Sequence, residues 1–515
     1  MVTETTPLRN AERRPLEPYA HHKRRIAGLA VVGLILVVVA VLTTTNIGKK
    51  THSQAIPQQP IKVTEPHTDL TPLNTTRHHH TPAPTSKNWF QCGTERSEAG
   101  YITLPYNVGD HLFYWFFESR KAPASDPLVL WMTGSGSSCF SLVTLLTENG
   151  PCQIISEGTT ALNPYSWTSE ANVVWLDQPT NVGFSYGSNA RAQFNAGDVQ
   201  RNVYWFLQRF LDKHPEFQGR ALFLAGEGYP AHYIPAAAHY IWRENSIVEK
   251  ANATVRINLE GIAIGNGLVN PAVQMPHALD MAVSNSYNIS LINPTDLAAA
   301  KEAVPVCHEL LNVCQTNSSA CTGASRFCSS FLLDAMDSSH RNRYDIRKKC
   351  DPSDPSGCYN TSAVAEYLNS NAVRAYLSVS DQVSSWQQCS SSNREHYSDL
   401  MMNFDGYVAD LLNDGFIRVL IYSGDADLVC NWRGSDAWTK QLKWKHQRDF
   451  NDARKHIFLV AGEIDTVDAG TVRTYNNQFT FLRVFEAGHV VSKDQPAVAL
   501  AMINRFIKNQ SLQTR

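Results

Sequence analysis

The stretch "GEGYP", Gly226 to Pro230, closes an apolar run and opens a helical pattern, a placement that could present one side chain for attack on a carbonyl. Its surroundings, "RALFLAGEGYPAHYIPAAAHYI" at 220–241, read as a buried strand, a sharp turn and a helix. Such a turn takes the order small residue, any residue, nucleophile, any residue, small residue, because the nucleophile must stand exposed on a tight bend. The nucleophile's place holds Gly228, which has no oxygen to attack with. Two more polar residues follow strand-like runs, Asp427 in "IYSGDADLVCNW" and His489 in "RVFEAGHVVSKDQP". A histidine that accepts the nucleophile's proton and an acid that fixes its tautomer complete the apparatus of acyl transfer. Each alone is a weak signal, since such an Asp is commonly a turn former. Their chain order and shared position past strand ends raise the reading above that.

These residues are far apart in sequence and need a scaffold that brings strand ends together. The chain supplies "PLVLWMTG", "NVVWLDQP", "ALFLAGEG", "INLEGIAIGNG", "VLIYSGDAD" and "FTFLRVFEAGH", continuous apolar runs that each end in a Gly- or Asp-containing turn. Runs of this kind predict a largely parallel sheet covered on both faces, an α/β fold. The pattern changes at about 272–400 to helices and clustered cysteines, which reads as an insertion over one end of the sheet. With 515 residues and 43% hydrophobic content the chain can bury a large core, and a formal charge of −2 gives no reason to expect a nucleic-acid partner.

The N-terminus is organised differently. Residues 1–25 are basic and read as a cytosolic tail, and the uncharged "IAGLAVVGLILVVVAVL" at 26–42 opens a signal-anchor assigned to 26–47. A cleaved leader is the competing reading, but no Ala-x-Ala-like site follows Leu42. Residues 48–87, rich in Thr, Pro, His and Gln, read as a disordered stem, and "RHHH" at 77–80 lacks the accompanying ligands of a metal site. The expected topology is a type II membrane protein whose domain, 88–515, faces the secretory lumen, a vacuole-like compartment or the cell surface. Eleven cysteines suit an oxidising compartment, and glycosylation sequons occur at Asn74, Asn252, Asn288, Asn317, Asn360 and Asn509.

The blocks "NPYSWTSEANVVWLDQPTNVGFSY", "GIAIGNGLVNP", "YDIRKKC", "FDGYVADLLNDG", "RVLIYSGDADLVCNW" and "LRVFEAGH" carry a more specific signal. Over essentially all of 88–510 the chain resembles the serine carboxypeptidases, peptidase family S10, which remove single residues from peptide C-termini. The resemblance implies an α/β-hydrolase fold with a helical, disulfide-containing insertion. It makes Asp427 and His489 the acid and base, and Gly228 the position where the family's Gly-Glu-Ser-Tyr-Gly/Ala-Gly elbow has serine. The family's oxyanion loop resembles Trp-Leu-Asn-Gly-Gly-Pro-Gly-Cys-Ser-Ser, whereas this chain has "WMTGSGSSCFS" from Trp131 to Ser141, one residue longer when counted back from "ENGP" at 148–151. The oxyanion positions then fall on Tyr229 and Ser135. Ser135, Ser137, Ser138 and Ser141 sit on no elbow and read as loop formers, not as substitute nucleophiles.

By the same resemblance Trp131, Thr133, Glu148 and Glu227 occupy the positions that hold a peptide's terminal carboxylate, with Thr133 in place of the family's Asn. The family also implies the disulfides Cys307–Cys328, Cys314–Cys321, Cys350–Cys358 and Cys139–Cys389 and a free thiol at Cys430. Cys92 and Cys152 remain, a pair the sequence leaves open. The resulting expectation is a hydrolytically impaired homologue, without cofactor or metal, that binds peptide or protein C-termini; the alternative is an active acid carboxypeptidase.

Overall fold

The apolar runs become strands of one sheet in the computed structural model, which describes residues 91–515 apart from 135–140, 156–158, 188–194, 252–254, 351–359, 388–398, 463–464 and 514–515. In chain order the first strands are β1 (Ser97–Leu104), β2 (Asn107–Phe117), β3 (Leu128–Gly134), β4 (Cys152–Ile154), β5 (Thr160–Leu162), β6 (Asn172–Leu176), β7 (Leu222–Gly228) and β8 (Leu259–Gly265). The remainder are β9 (Arg341–Asn342), β10 (Asp345–Lys349), β11 (Arg418–Gly424), β12 (His456–Ala461), β13 (Thr466–Tyr475) and β14 (Phe479–Val484). Ten of them form a sheet in the order β1-β2-β6-β3-β7-β8-β11-β14-β13-β12, while β4 pairs with β5 and β9 with β10.

The centre of the sheet, from β6 to β14, is parallel, and its two flanks are antiparallel. This explains why the central strands lack polar alternation. Leu128, Leu130 and Met132 of β3 enter one core layer, Val129 and Trp131 the other, and β7 divides in the same way between Leu222 and Leu224 and Phe223 and Ala225. Both faces are therefore apolar and must be covered by helices. Helices Ala196–Lys213 and Pro230–Ala251 bury Val199, Phe206, Ile234 and Ala237 in the first layer. Ser141–Thr147 and Pro496–Ile507 bury Leu145, Met502 and Phe506 in the second. The fold is that of the α/β-hydrolases, as the sequence leads one to expect.

Between β8 and β11 the chain is mainly helical. Helices Pro294–Thr316 and Cys321–Leu332 are joined by disulfides Cys307–Cys328 and Cys314–Cys321. A seven-residue spacing is about two helical turns, so both cysteines of each helix face the same neighbour. Their shared core also takes in Ala426 and Leu428, from the loop after β11. A third disulfide joins Cys92 to Cys152. Cys350 is disulfide-bonded, while Cys358, Cys139 and Cys389 lie outside the described residues.

No helix among the described residues is long and apolar enough to cross a membrane. The tail, the apolar segment at 26–47, the stem, Asn74 and Asn252 lie outside the described residues. Asn288, Asn317, Asn360 and Asn509 are exposed.

Candidate active site

Register assembles the site. Gly134 of β3 is level with Gly228 of β7, Glu227 with Gly265 of β8, and Gly424 of β11 with Val484 of β14. The carboxyl ends of the parallel strands thus open together, and such an edge is where α/β sheets place ligand clefts.

At β7 the strand ends in the tight turn that the sequence implies, with glycine at position 228. A Cβ at Gly226 would stand 2.0 Å from the carbonyl oxygen of Met132, so nothing larger than glycine fits before the bend. Gly228 has φ +77°, left-handed backbone that a Cβ-bearing residue enters only with strain. Pro230 begins the following helix, where its missing N–H costs no hydrogen bond. Tyr229 lies buried between them and donates its hydroxyl to Asp399 Oδ1 at 2.7 Å. Ser135, Ser137 and Ser138 lie outside the described residues.

In the loops after β11 and β14, His489 Nδ1 is 2.8 Å from Asp427 Oδ2. Because a carboxylate can only accept, Nδ1 carries the proton and Nε2 is the basic nitrogen. Asp427 is fully buried, and its oxygens also accept Asn266 Nδ2 (2.8 Å), Val429 N (3.0 Å) and Cys430 N (3.3 Å). The structure thus brings Asp427 and His489 together and places Gly228, at the end of β7, at the same edge of the sheet.

Asn266 is a further member of this hydrogen-bond network, one the sequence reading passes over. At φ +42°, one residue past β8, it bridges the strand ends by donating to Asp427 and accepting Gly424 N at 3.2 Å. Asn is among the few side-chain-bearing residues that tolerate this conformation, so the "GNG" after an apolar run was the available signal.

The residues that the resemblance assigns to a terminal carboxylate lie on β3, on β7 and just after helix Ser141–Thr147. Helix Ser141–Thr147 ends at Glu148, whose N–H binds Thr144 O at 2.9 Å and whose carbonyl accepts Asn163 Nδ2 at 2.9 Å. Glu227 Oε1 accepts the Tyr422 hydroxyl at 3.1 Å. Glycine at 265 permits that reach, since a Cβ there would lie 2.3 Å from the tyrosine ring. Glu148 Oε2 and Glu227 Oε2 are buried without a hydrogen-bond partner among the described residues. Burial pushes the Glu148 carboxyl up to about 8, with Lys493 opposing and Asp494 assisting. Burial and then the Glu148 charge push Glu227 well above the carboxylate range, against the Tyr422 hydrogen bond. Two neutral carboxyls beside a cleft can donate hydrogen bonds to an anion. Trp131 is wholly buried with its indole N–H donated to Thr144 Oγ1 at 2.7 Å. Thr133 lies on β3 level with Glu227.

Asp427, Cys430 and His489 offer ligand atoms within 4.8 Å of one another. The Asp427 oxygens are already engaged by four N–H groups, however, and burial followed by the Asp427 charge holds the Cys430 thiol well above its ordinary value. The donor set suits a hydrogen-bonded network better than a cation, which requires deprotonated ligands.

Comparison with known proteins agrees with this architecture. The family model described as serine carboxypeptidase matches residues 89–509. Carboxypeptidase Y homolog A of Sclerotinia sclerotiorum is 38% identical over 422 residues, covering 80% of this chain and 73% of the relative. Serine carboxypeptidase 3 of Oryza sativa subsp. japonica is 36% identical over 416 residues, covering 80% of this chain and 79% of the relative. Among solved structures, the prohormone-processing carboxypeptidase KEX1(delta)p of Saccharomyces cerevisiae superposes with a TM-score of 0.69 at 25% identity, covering 81% of this chain and 92% of its own.

Proposed function

The chain belongs to the serine carboxypeptidase family, and from that premise we propose that it is a hydrolytically impaired member that binds peptide C-termini, free or at the end of a protein partner. The observation that carries this reading is glycine, at φ +77°, in the turn that ends β7, with the Asp427–His489 hydrogen bond at the same edge of the sheet. Loss of the nucleophile from such a triad costs on the order of a millionfold in turnover. Loss of one oxyanion donor alone costs about a hundred- to thousandfold, and the extra residue in the 131–141 loop disturbs that function too.

Retention of Glu148 and Glu227 supports binding. In their neutral forms both donate to a terminal carboxylate, so affinity is highest in acid and falls as pH rises through the value of about 8 at Glu148. Calorimetry with matched peptides bearing a free or an amidated C-terminus tests this. The free acid binds at pH 5 at least about tenfold more tightly than the amide, a difference of about 1.4 kcal/mol. Equal affinity for the two would remove the carboxylate site.

A second reading, favoured by the intact Asp427–His489 pair, is slow hydrolysis by a water that His489 activates. A fluorophosphonate probe and a release assay separate the outcomes at acidic pH. The impaired reading expects neither labelling nor release, stoichiometric labelling reveals a serine nucleophile elsewhere, and release without labelling identifies the water route.

The proposal extends to topology: the apolar segment at 26–47 anchors the chain, 48–87 is the stem, and the glycosylated domain lies in the secretory lumen, a vacuole-like compartment or at the cell surface. Endoglycosidase sensitivity with protease protection in sealed microsomes is the expected result. Release of the protein by carbonate at high pH would exclude the anchor.

A further inference from the structure

The hairpin formed by β9 and β10, residues Arg341–Lys349, belongs to the insertion and not to the sheet, yet its backbone joins both loops that carry the Asp427–His489 pair. Leu428 N donates to Arg343 O at 3.0 Å, Ile346 N to Ala426 O at 3.0 Å and His489 N to Tyr344 O at 2.7 Å. The first two bonds hold the chain on either side of Asp427, and the third holds His489 itself. The two loops also touch directly through Ala426 N and Ala487 O at 2.8 Å. The hairpin therefore lies across them as a third strand would.

Charge fixes the hairpin in place. Arg347 binds Asp345 Oδ2 at 2.8 Å and Asp494 Oδ2 at 3.4 Å, and Lys348 binds Asp345 and Asp494 at 2.9 Å each. Asp494 Oδ2 also accepts Gly488 N at 2.7 Å, so one carboxylate ties the basic side chains of the hairpin to the residue before His489. The packing leaves no slack: a Cβ at Gly488 would lie 2.5 Å from Tyr344 O and 2.8 Å from Asp345 Cβ. The Tyr344 ring meets the His489 ring edge-on, with centroids 5.1 Å apart.

We infer that Arg347 and Asp494 are positioning residues, which act through the β9–β10 hairpin to hold His489 Nδ1 against Asp427. The insertion thereby becomes part of the acid–base apparatus. Neither residue contacts a reacting atom, and the inference stands whether or not hydrolysis occurs.

The test is proton NMR of the whole protein, following the downfield His489 Nδ1 proton, assigned by its loss in His489→Gln. In Arg347→Met and in Asp494→Ala the signal broadens or disappears, because the imidazole is no longer held against Asp427. Asp494→Asn keeps an oxygen for Gly488 N and broadens it less. An unchanged downfield signal in Arg347→Met would overturn the inference. Should Asp494→Ala fail to fold, Arg347→Met and Asp494→Asn still decide it, since a signal unchanged in both removes the link.

Discussion

The Asp427 carboxylate and the Glu148 and Glu227 carboxyls differ in how completely their oxygens are hydrogen-bonded among the described residues. On the β11–β14 side, the Asp427 carboxylate accepts four N–H groups, and His489 is fixed at both its ring and its backbone. On the β3–β7 side the bend at Gly228 survives as backbone alone, and Glu148 and Glu227 each bury an oxygen with no partner among the described residues. A buried network that is fully paired is costly to disturb, because every lost member orphans its partners. Glycine at a left-handed bend is relaxed, so the turn at Gly228 carries no backbone strain. The difference teaches that the Asp427–His489 hydrogen bond is embedded in a paired network that the fold depends on, whereas the bend at Gly228 is held by backbone alone.

The largest expected effect concerns turnover. Release of a C-terminal residue from a blocked dipeptide should be on the order of a millionfold slower than by a serine-bearing relative assayed alongside, and a gap below about a hundredfold would erase the contrast between the two sides. Next comes Asp427→Ala, which leaves His489, Asn266 Nδ2 and two backbone N–H groups without their acceptor. Denaturant unfolding should report a loss of about 3 kcal/mol or more.

Glu148→Gln probes the other side through pH. The folded-state value of about 8 lies above the unfolded 4.5, so the stability tied to the neutral carboxyl is fully present below pH 4.5 and is lost as pH rises through about 8. Unfolding at pH 5 and pH 8 should show the unsubstituted protein losing on the order of 2 kcal/mol more over that interval than Glu148→Gln. Identical slopes would mean that Glu148 is not held neutral.

The smallest effect is Gly228→Ser, which should lower stability by about 1 kcal/mol because a Cβ enters left-handed backbone. With the oxyanion loop still altered, it should recover at most about a hundredth of a relative's activity. Full activity from this single change would show that the loop insertion is harmless.

Much of this was legible in the sequence, and for identifiable reasons. Continuous apolar runs such as "NVVWL" must be buried on both faces, so the parallel centre of the sheet followed from composition alone. The bend at "GEGYP" could be read because Gly226 and Pro230 are residues a tight strand-to-helix turn admits. That Gly228 carries no oxygen needs no structure. Asp427 and His489 were recognisable as strand-end residues in the right order. The tertiary structure decided what depends on contact across long sequence separations. Asn266 meets Asp427 only because β8 and β11 are neighbours, and Tyr422 reaches Glu227 only because Gly265 leaves room for its ring. Cys92 and Cys152, whose pairing the sequence leaves open, lie 60 residues apart and are joined by the fold. The hairpin at Arg341–Lys349 is polar and short, with no periodicity to announce where it packs, and its three backbone hydrogen bonds run to loops some 80 to 150 residues away. Residue type and local pattern fix which atoms can react and how each segment folds, but which of them share a site is set by strand register and packing.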